Sequence, residues 1–441
     1  MSEMVIRPAP IASDLSGDNG WQALLDAPPP VVRLTGEKRC RTAVIGAGIC
    51  GLSTARRLGE LCPDDDIVLV DAARVGDGAS GQNAGFLFNM HTHGLVKRHD
   101  VLERNAKLWN AGLADLRRIV SEHQIQCDWS DWGRLYGSAG PDGERHVDFL
   151  AETLDALGLP YERRDHEQMR ADLGTDFYLR GLHVPGNAMV NPAAMVRGLA
   201  RALPTNVSLF EETPVVALNG EAAGCRLKTP EGEIVADRIV VTAGVFMRRF
   251  GIARGRYVPL ALFAILTEPL SAKRRSQMKA GAEFGLLPTA ANGATVRLTR
   301  DGRIFMRNIS RYAPDGPPRE AMAQAMSLQL EQALAKRWPE FDDLKIAHRW
   351  GGAMAFTGND GAIFGETAPG IFALLSNDVS PMTRGAAAGR LLAEHMEGID
   401  SDLLAIQMSY PEASRLPPRP FLDLGVAWKL RKVRQAGAGE F

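Results

Sequence analysis

Residues 41–71, RTAVIGAGICGLSTARRLGELCPDDDIVLVD, constrain this chain more than any other stretch. Thr42-Ala43-Val44-Ile45 is a short apolar, partly β-branched run that suits a buried strand. Gly46, Gly48 and Gly51 follow at GxGxxG spacing. The first glycine makes the tight turn, the second lets a pyrophosphate approach the backbone, and the third lets the helix pack closely on the strand. Leu52, Ala55, Leu58 and Leu61 then recur at helical spacing until Pro63 ends the run. Free N–H groups and the dipole at such a helix start form an anion site. A second apolar strand, residues 67–70, leads into Asp71, twenty residues beyond Gly51, where an acid accepts hydrogen bonds from ribose hydroxyls. A lone GxGxxG is only a turn; strand, glycines, helix, strand and acid in this order specify a dinucleotide site.

The next segment decides which dinucleotide. Residues 72–86 read AARVGDGASGQNAGF, a second loop of small residues that NAD does not need. Across Ala72, Arg74, Gly78, Ala79, Ala84, Gly85 and Phe86, mostly short side chains let backbone N–H groups crowd a further, larger part of the ligand. Ser80, Gln82 and Asn83 can add hydrogen bonds. In isolation this is a flexible loop; beside the dinucleotide fold it is a flavin loop.

These two motifs together resemble the FAD-dependent amine and amino-acid oxidases of the D-amino-acid oxidase type, and within them the gamma-glutamylputrescine oxidase group, whose loop runs GASGRNGG. The likeness continues through Ile125-Gln126-Cys127-Asp128-Trp129, Asn191-Pro192, Val240-Val241-Thr242-Ala243-Gly244, Arg349-Trp350-Gly351-Gly352 and Ala388-Gly389-Arg390-Leu391-Leu392-Ala393-Glu394, and so covers most of the chain beyond Arg41. The resemblance implies an α/β fold, with a Rossmann-like FAD-binding domain and an interleaved mixed-sheet substrate domain. It implies oxidation of a C–N bond of a small amine or amino acid by hydride transfer to flavin N5, with oxygen or another electron acceptor. No cysteine falls in the late flavin-contacting segments, so non-covalent FAD is expected. By the same resemblance Val215 flanks the adenine end and Ala243 and Gly244 pass the nucleotide, with plain core strand as the other reading of both, and Trp350 and Gly352 lie beside the flavin. Ser380, Met382 and Thr383 would begin a helix aimed at the flavin's pyrimidine end. Ser380-Pro381 is itself a helix start, with serine as cap and proline at the first position. The family's Gly-Tyr-Ser-Gly-His-Gly wording is absent: Asn377 and Asp378 stand there, with Ser380 in place of the histidine.

The domains are expected to interleave. Residues 1–36, rich in proline, glycine and aspartate, read as an arm wrapping the surface. Residues 37–98, 185–255 and 346–400 would form the FAD-binding domain, 99–184 and 256–345 the substrate domain, and 401–441 a C-terminal extension. A helical pattern over 99–123 offers Leu102, Leu108, Leu113 and Leu116 as core positions. Asp301-Gly302 between two strand-like runs predicts a type I′ hairpin in which Arg297 faces Met306 and Arg307 faces Val296. An arginine on an apolar sheet face needs an anion, whether a protein or a substrate carboxylate; a solvated edge is the other reading. His91 and His93 could line the substrate pocket or be ordinary loop residues; no companion acid or cysteine completes a metal site, so none is expected.

Composition narrows the partners. A net charge of -1, with 23% charged residues, gives no reason to expect nucleic acid. Five scattered cysteines, none as CxxC, read as reduced thiols of a cytoplasmic protein. No signal pattern or membrane-length apolar run is present, and membrane contact is not expected; the basic tail around Trp428 reads as a solvated terminal helix, with surface or partner contact as its alternative. The cofactor performs the hard chemistry in such enzymes, so no acid–base pair is required, and none stands out. A flavin dehydrogenase passing electrons to a non-oxygen acceptor shares the same site. A non-catalytic FAD-binding subunit is favoured only by residues 376–380.

Overall fold

The computed structural model describes residues 4–5, 18–90, 99–221, 224–278, 283–290, 293–314, 320–341, 344–376 and 381–440. The first expected strand runs from Gly36 to Ile45, and its last four residues are buried. Among the described residues it lies in a nine-stranded sheet, parallel to Gly232–Val241 on one side and to Ile67–Val70 on the other. Val207–Phe210 continues the parallel order beyond Ile67–Val70, and Ile371–Leu375 joins the end of Gly232–Val241. Parallel strands are covered on both faces, which is why Ile67–Val70 is an unbroken apolar run rather than an alternating one.

One face carries the helices Ile49–Leu61, Pro192–Arg201 and Pro381–Met396, and a fourth, His99–Glu122. The small-residue run 385–389 explains how tightly they meet. A Cβ on Gly385 would press on Ile49, and one on Gly389 would collide with the Cys50 carbonyl. Thr54 Oγ1 donates to the Gly389 carbonyl across this contact, at 3.0 Å. Leu102, Leu108, Leu113 and Leu116 are all buried, as their spacing predicts. Leu113 and Leu116, however, share a cluster with Val44 and Leu52. Helix His99–Glu122 thus packs through Leu113 and Leu116 against the first sheet's core, while Trp109 joins a cluster with Tyr136 and Leu182 of the second sheet: amphipathic spacing fixes which face is buried but not against what.

Among the described residues the second sheet has eight strands, beginning Ile346–Thr357, Tyr257–Thr267, Ile304–Tyr312, Thr295–Leu298, Phe284–Pro288 and continuing to Arg134–Ser138, Arg180–Val184 and Glu162–Arg164. Ile346–Thr357 pairs antiparallel along nearly all of Tyr257–Thr267. The boundary at 346 is thus displaced: this strand closes the second sheet. Tyr257–Thr267, hydrogen-bonded on both sides, is the largely buried strand its loose alternation suggests.

The hairpin exists, but its register is shifted by one. Arg297 pairs with Phe305, Val296 with Met306 and Thr295 with Arg307. Gly302 N donates to the Thr299 carbonyl and Thr299 N to the Arg303 carbonyl, while Gly302 alone takes a positive φ of 86°. This is a three-residue loop with a glycine bulge, not the two-residue type I′ turn, and the additional residue moves every pair by one.

The N-terminal segment also departs from expectation. Asn19 caps a short helix, Gly20–Ala23, by accepting from Trp21 N, and Trp21 is 1% exposed. Its ring lies 5.1 Å from Phe305 and 6.4 Å from Trp350, so residues 19–21 enter the molecule rather than wrapping it. A single tryptophan can bury 150–250 Å², which outweighs the flexibility signalled by the surrounding proline and glycine.

Candidate functional site

The glycine turn forms where the sequence places it, and its glycines fall into two kinds. Gly46 has φ of 105°, and a Cβ there would stand 2.9 Å from the Thr242 carbonyl oxygen; one on Gly51 would collide with the Gly46 carbonyl. Those two are required by the protein's own packing. A Cβ on Gly48 meets only Ser80 Oγ, at 3.0 Å, with Ser80 Cβ at 4.0 Å, and one on Gly78 meets nothing. Gly48 caps helix Ile49–Leu61 without any side chain of its own, leaving that N-terminus open to an anion. Ser80 Oγ accepts from Ile49 N at 3.0 Å, which draws the second loop up to the same helix end. Asp71 follows Ile67–Val70, and its carboxylate accepts from Ala47 N at 2.7 Å and Ala73 N at 2.8 Å. Burial outweighs these bonds and pushes its pKa up to about 6. Open room beside Gly48 and Gly78, a helix start with no cap from its own N-cap residue and a half-buried acid suit the pyrophosphate and ribose of FAD.

The second loop is held from behind by Trp350, which sequence reasoning placed beside the flavin, and by Asn19, Trp21 and Gln22, which it did not single out. Three consecutive carbonyls each receive a donor from outside the loop. Asn19 Nδ2 donates to Gly81 O at 3.1 Å, Trp350 Nε1 to Gln82 O at 3.0 Å, and Trp21 Nε1 to Asn83 O at 2.9 Å. Gln22 Nε2 donates to Asp77 Oδ1 at 2.6 Å. The Asn83 amide is engaged within the loop, accepting from Gly85 N and donating to Ser80 O, both at 2.8 Å. Gly352 stands where a Cβ would press on Gln82 Oε1, at 2.8 Å. Arg74 is paired with Glu212 at 3.0 Å. Only the tandem indoles, each a single donor with a large apolar body, carried a usable signal, since a buried tryptophan N–H needs an acceptor.

Arg297 and Arg307 share the face of the second sheet that looks toward this loop. Arg297 is 3% exposed; its Nη1 donates to Ala84 O at 2.6 Å and Val190 O at 2.8 Å. Its guanidinium lies over Trp21 and Phe86, 5.1 and 5.7 Å from their centroids. Carbonyls and aromatic faces thus surround Arg297 in place of an anion or a solvated edge, and its Nε is buried without a partner. Arg307 donates from Nη2 to Thr295 Oγ1 at 3.1 Å, and its Nε is buried without a partner. Burial alone holds the Arg307 pKa down to about 10; Arg297 is lowered to the same value, against the opposing pull of Glu283 and Asp128. A third buried arginine, Arg134, lies between Phe88 and Tyr136 with Nη1 on Asn187 Oδ1 at 2.6 Å and two nitrogens unpartnered.

The remaining candidates surround the same region. Val215 is buried just outside the strand Ala217–Glu221, beside the chain that returns to Asp71 through Thr213 N. Ala243 and Gly244 begin a 3-10 turn after Thr242, whose hydroxyl donates to Ile45 O and Gly46 O. Ala72 is half-buried, and Ala79 begins the short helix Ala79–Gln82. Phe86 pairs with Met189 in a two-stranded ribbon. Met382 is fully buried, with Asn83 Nδ2 3.2 Å from its sulfur; Thr383 is also fully buried, and its hydroxyl has no partner. His91, His93 and Ser380 lie outside the described residues. Among the described residues no group of histidines, cysteines or acids could hold a metal.

Comparison with known proteins agrees with this geometry. The chain is 27% identical over 396 residues to the "Probable oxidoreductase OrdL" of Haemophilus influenzae, covering 85% of this chain and 86% of that protein. It is 24% identical over 405 residues to gamma-glutamylputrescine oxidoreductase of Escherichia coli, covering 88% and 92%. Its fold matches glycine oxidase from Geobacillus kaustophilus with a TM-score of 0.71 at 16% identity, over 86% of this chain and 100% of that one. The family model described as "DAO: FAD dependent oxidoreductase" matches residues 41–395, and the chain belongs to that family of FAD-dependent enzymes.

Proposed function

We propose that the protein oxidises the C–N bond of a small amine or amino acid that carries a carboxylate, and that Arg307 binds this carboxylate. The observation that carries the reading is the state of Arg307: a half-buried arginine on the face toward the flavin loop, lowered in pKa by burial, whose guanidinium has one neutral acceptor, Thr295 Oγ1, and whose Nε is unpartnered. A buried cation lacking an anion is costly, and a bidentate carboxylate is the ligand that fits a guanidinium fork. The names of the relatives, gamma-glutamylputrescine oxidoreductase and glycine oxidase, agree with nitrogen-bearing substrates.

FAD, when bound, supplies the acceptor for a hydride from the carbon bearing nitrogen. The chain's own residues bind and orient. The Ile49–Leu61 N-terminus and Asp71 hold pyrophosphate and ribose, residues 78–85 hold the flavin end, and Arg307 anchors the substrate. Binding is non-covalent in this reading, the protein is cytoplasmic, and its acceptor is oxygen or another oxidant. Two arginines were candidates for the anchor; Arg307 is preferred because the Arg297 Nη1 already bridges two carbonyls.

Anaerobic bleaching of the flavin by a panel of secondary amines and amino acids tests the assignment. Carboxylated amines should bleach it, and Arg307→Ala should slow their reaction by about 10²-fold or more, the loss of a charge-assisted bond of roughly 3 kcal/mol. Simple amines should be unaffected by the change. Equal losses for both substrate types would assign Arg307 a structural role instead.

A further inference from the structure

We propose that helix Phe421–Ala436 docks the enzyme on an anionic lipid surface. The sequence alone favours a solvated terminal helix; the structure shows one held in place with an apolar face outward. At its start Asp423 accepts from Tyr312 Oη and Arg419 Nε, both at 2.7 Å. Just beyond its end Glu440 is buried: its carbonyl accepts from Arg337 Nη2 at 2.7 Å, and its Oε1 from Ala139 N at 2.9 Å. Leu422, Val426, Leu430 and Val433 form the half-buried inner stripe. Phe421, Leu424 and Trp428 fall at i, i+3 and i+7 on the opposite side and are 68%, 68% and 61% exposed. The other large exposed apolar residues, such as Val32, Leu179 and Leu328, are scattered along the chain. Clustered exposure of this kind marks an interaction site, whereas single exposed residues do not.

The charge around this stripe selects the partner. Lys429, Arg431, Lys432 and Arg434 occupy the second half of the helix, whose one acid, Asp423, is already engaged. The Lys432 ammonium lies 4.0 Å from the Trp428 ring centroid. Arg311, on the adjoining strand, is lowered in pKa by burial and then by the charge of Arg434. Among the described residues Lys429, Arg431, Arg434 and Arg311 have no carboxylate partner, although arginines elsewhere, including Arg117, Arg238, Arg349 and Arg390, are paired. In a chain of net charge -1 this is a local cationic patch. Phenyl, isobutyl and indole groups inserted at the headgroup boundary, with lysines and arginines reaching back to phosphates, satisfy both halves of the patch at once. No helix among the described residues is long and apolar enough to cross a membrane, so the contact would be peripheral.

The FAD-loaded full chain should be floated with vesicles of phosphatidylcholine alone, or of phosphatidylcholine with phosphatidylglycerol, at low and high salt. Flotation is expected only with phosphatidylglycerol and should weaken with salt. Replacing Lys429, Arg431 and Lys432 together by Gln should weaken partitioning about a hundredfold, at about fivefold per cation. Phe421→Ser with Trp428→Ser should abolish flotation while melting temperature and FAD content stay at wild-type values. Absence of flotation by the wild-type protein would overturn the proposal. Flotation untouched by the serine pair would reduce the effect to charge adsorption, and also overturn it. A dimer in light scattering that the serine pair dissociates, without flotation, would instead assign this face to a second copy of the chain. None of these readouts depends on the reaction assigned above.

Discussion

Replacing Trp21 by Phe tests whether the N-terminal segment serves the cofactor site or only the fold. The phenyl ring preserves the packing against Phe305 and Trp350 in part, but the indole N–H is lost and Asn83 O is left without its 2.9 Å donor. A buried acceptor stripped of its partner costs about 1–3 kcal/mol. If the brace shapes the flavin loop, that cost appears in FAD affinity as a weakening of roughly 5- to 150-fold. A matched control exists in Trp338, also buried, whose Nε1 donates to Leu173 O at 3.0 Å within a core cluster of the second sheet. Trp338→Phe should lower stability by a similar amount and leave FAD affinity unchanged. The measurements are urea unfolding of both apoproteins and titration of each with FAD, followed by flavin fluorescence. If Trp21→Phe binds FAD within about twofold of wild type, well under 1 kcal/mol, while losing the same stability as the control, the brace is structural and the reasoning fails.

Other outcomes follow from the same geometry. Gly48→Val should abolish FAD binding in a protein that still folds, because only Ser80 crowds its Cβ; Gly51→Val should fail to fold, since its Cβ meets the Gly46 carbonyl. Circular dichroism and bound-flavin absorbance separate the two cases. Asp71 carries a folded pKa raised from 3.8 to about 6, so its carboxylate form is disfavoured in the apoprotein. Its contribution to apoprotein stability therefore falls as pH rises from about 4 to 6, by about 3 kcal/mol in all. Ribose hydroxyls donate to the charged form, so FAD should bind more tightly above pH 6 than at pH 5; Asp71→Asn should flatten that dependence, and a wild-type affinity independent of pH would contradict it.

The first sheet was legible because its signal is local. Thr42 to Ile45, three glycines, a helical run and Asp71 are contiguous, and each step has one physical purpose. What failed was partnership at a distance. Helix His99–Glu122 announces its buried face through Leu113 and Leu116, but nothing in that spacing says that Val44 and Leu52 receive it. Strand Ile346–Thr357 contains the family-like Trp350, yet its pairing with Tyr257–Thr267 is a matter of topology. The hairpin failed for a finer reason: Asp-Gly suits both a two-residue turn and a three-residue turn with a glycine bulge, and a single residue separates the registers. Trp21 was hidden by its neighbours, since proline, glycine and aspartate signal a loop regardless of what the loop carries into the core.

Arg297 and Arg307 show why residue type does not settle role. Both lie on one sheet face, two strands meeting near the flavin loop, and burial lowers both to about 10. Sequence reasoning gave each the same two readings, an anion partner on an apolar sheet face or a solvated edge. Arg297 has neither: its Nη1 spans Ala84 O and Val190 O and its guanidinium stacks on two aromatic rings, with Nε left buried and unpartnered, so it joins the flavin loop to the start of Pro192–Arg201. Gly85 leaves room for that bridge, because a Cβ there would collide with both Val190 O and Arg297 Nη1. Arg307 has only Thr295 Oγ1, a neutral acceptor at 3.1 Å, and an unpartnered Nε. Leaving such a donor unmet costs about 1–3 kcal/mol in the folded chain, more where the group is charged. Substrate binding can recover that cost, because a carboxylate satisfies Arg307 only while it is bound. The difference between the two arginines is therefore one of degree: Arg297 is 3% exposed with two carbonyl acceptors, whereas Arg307 is half-buried with one neutral hydroxyl, and in the proposed reading it is Arg307 that takes the carboxylate.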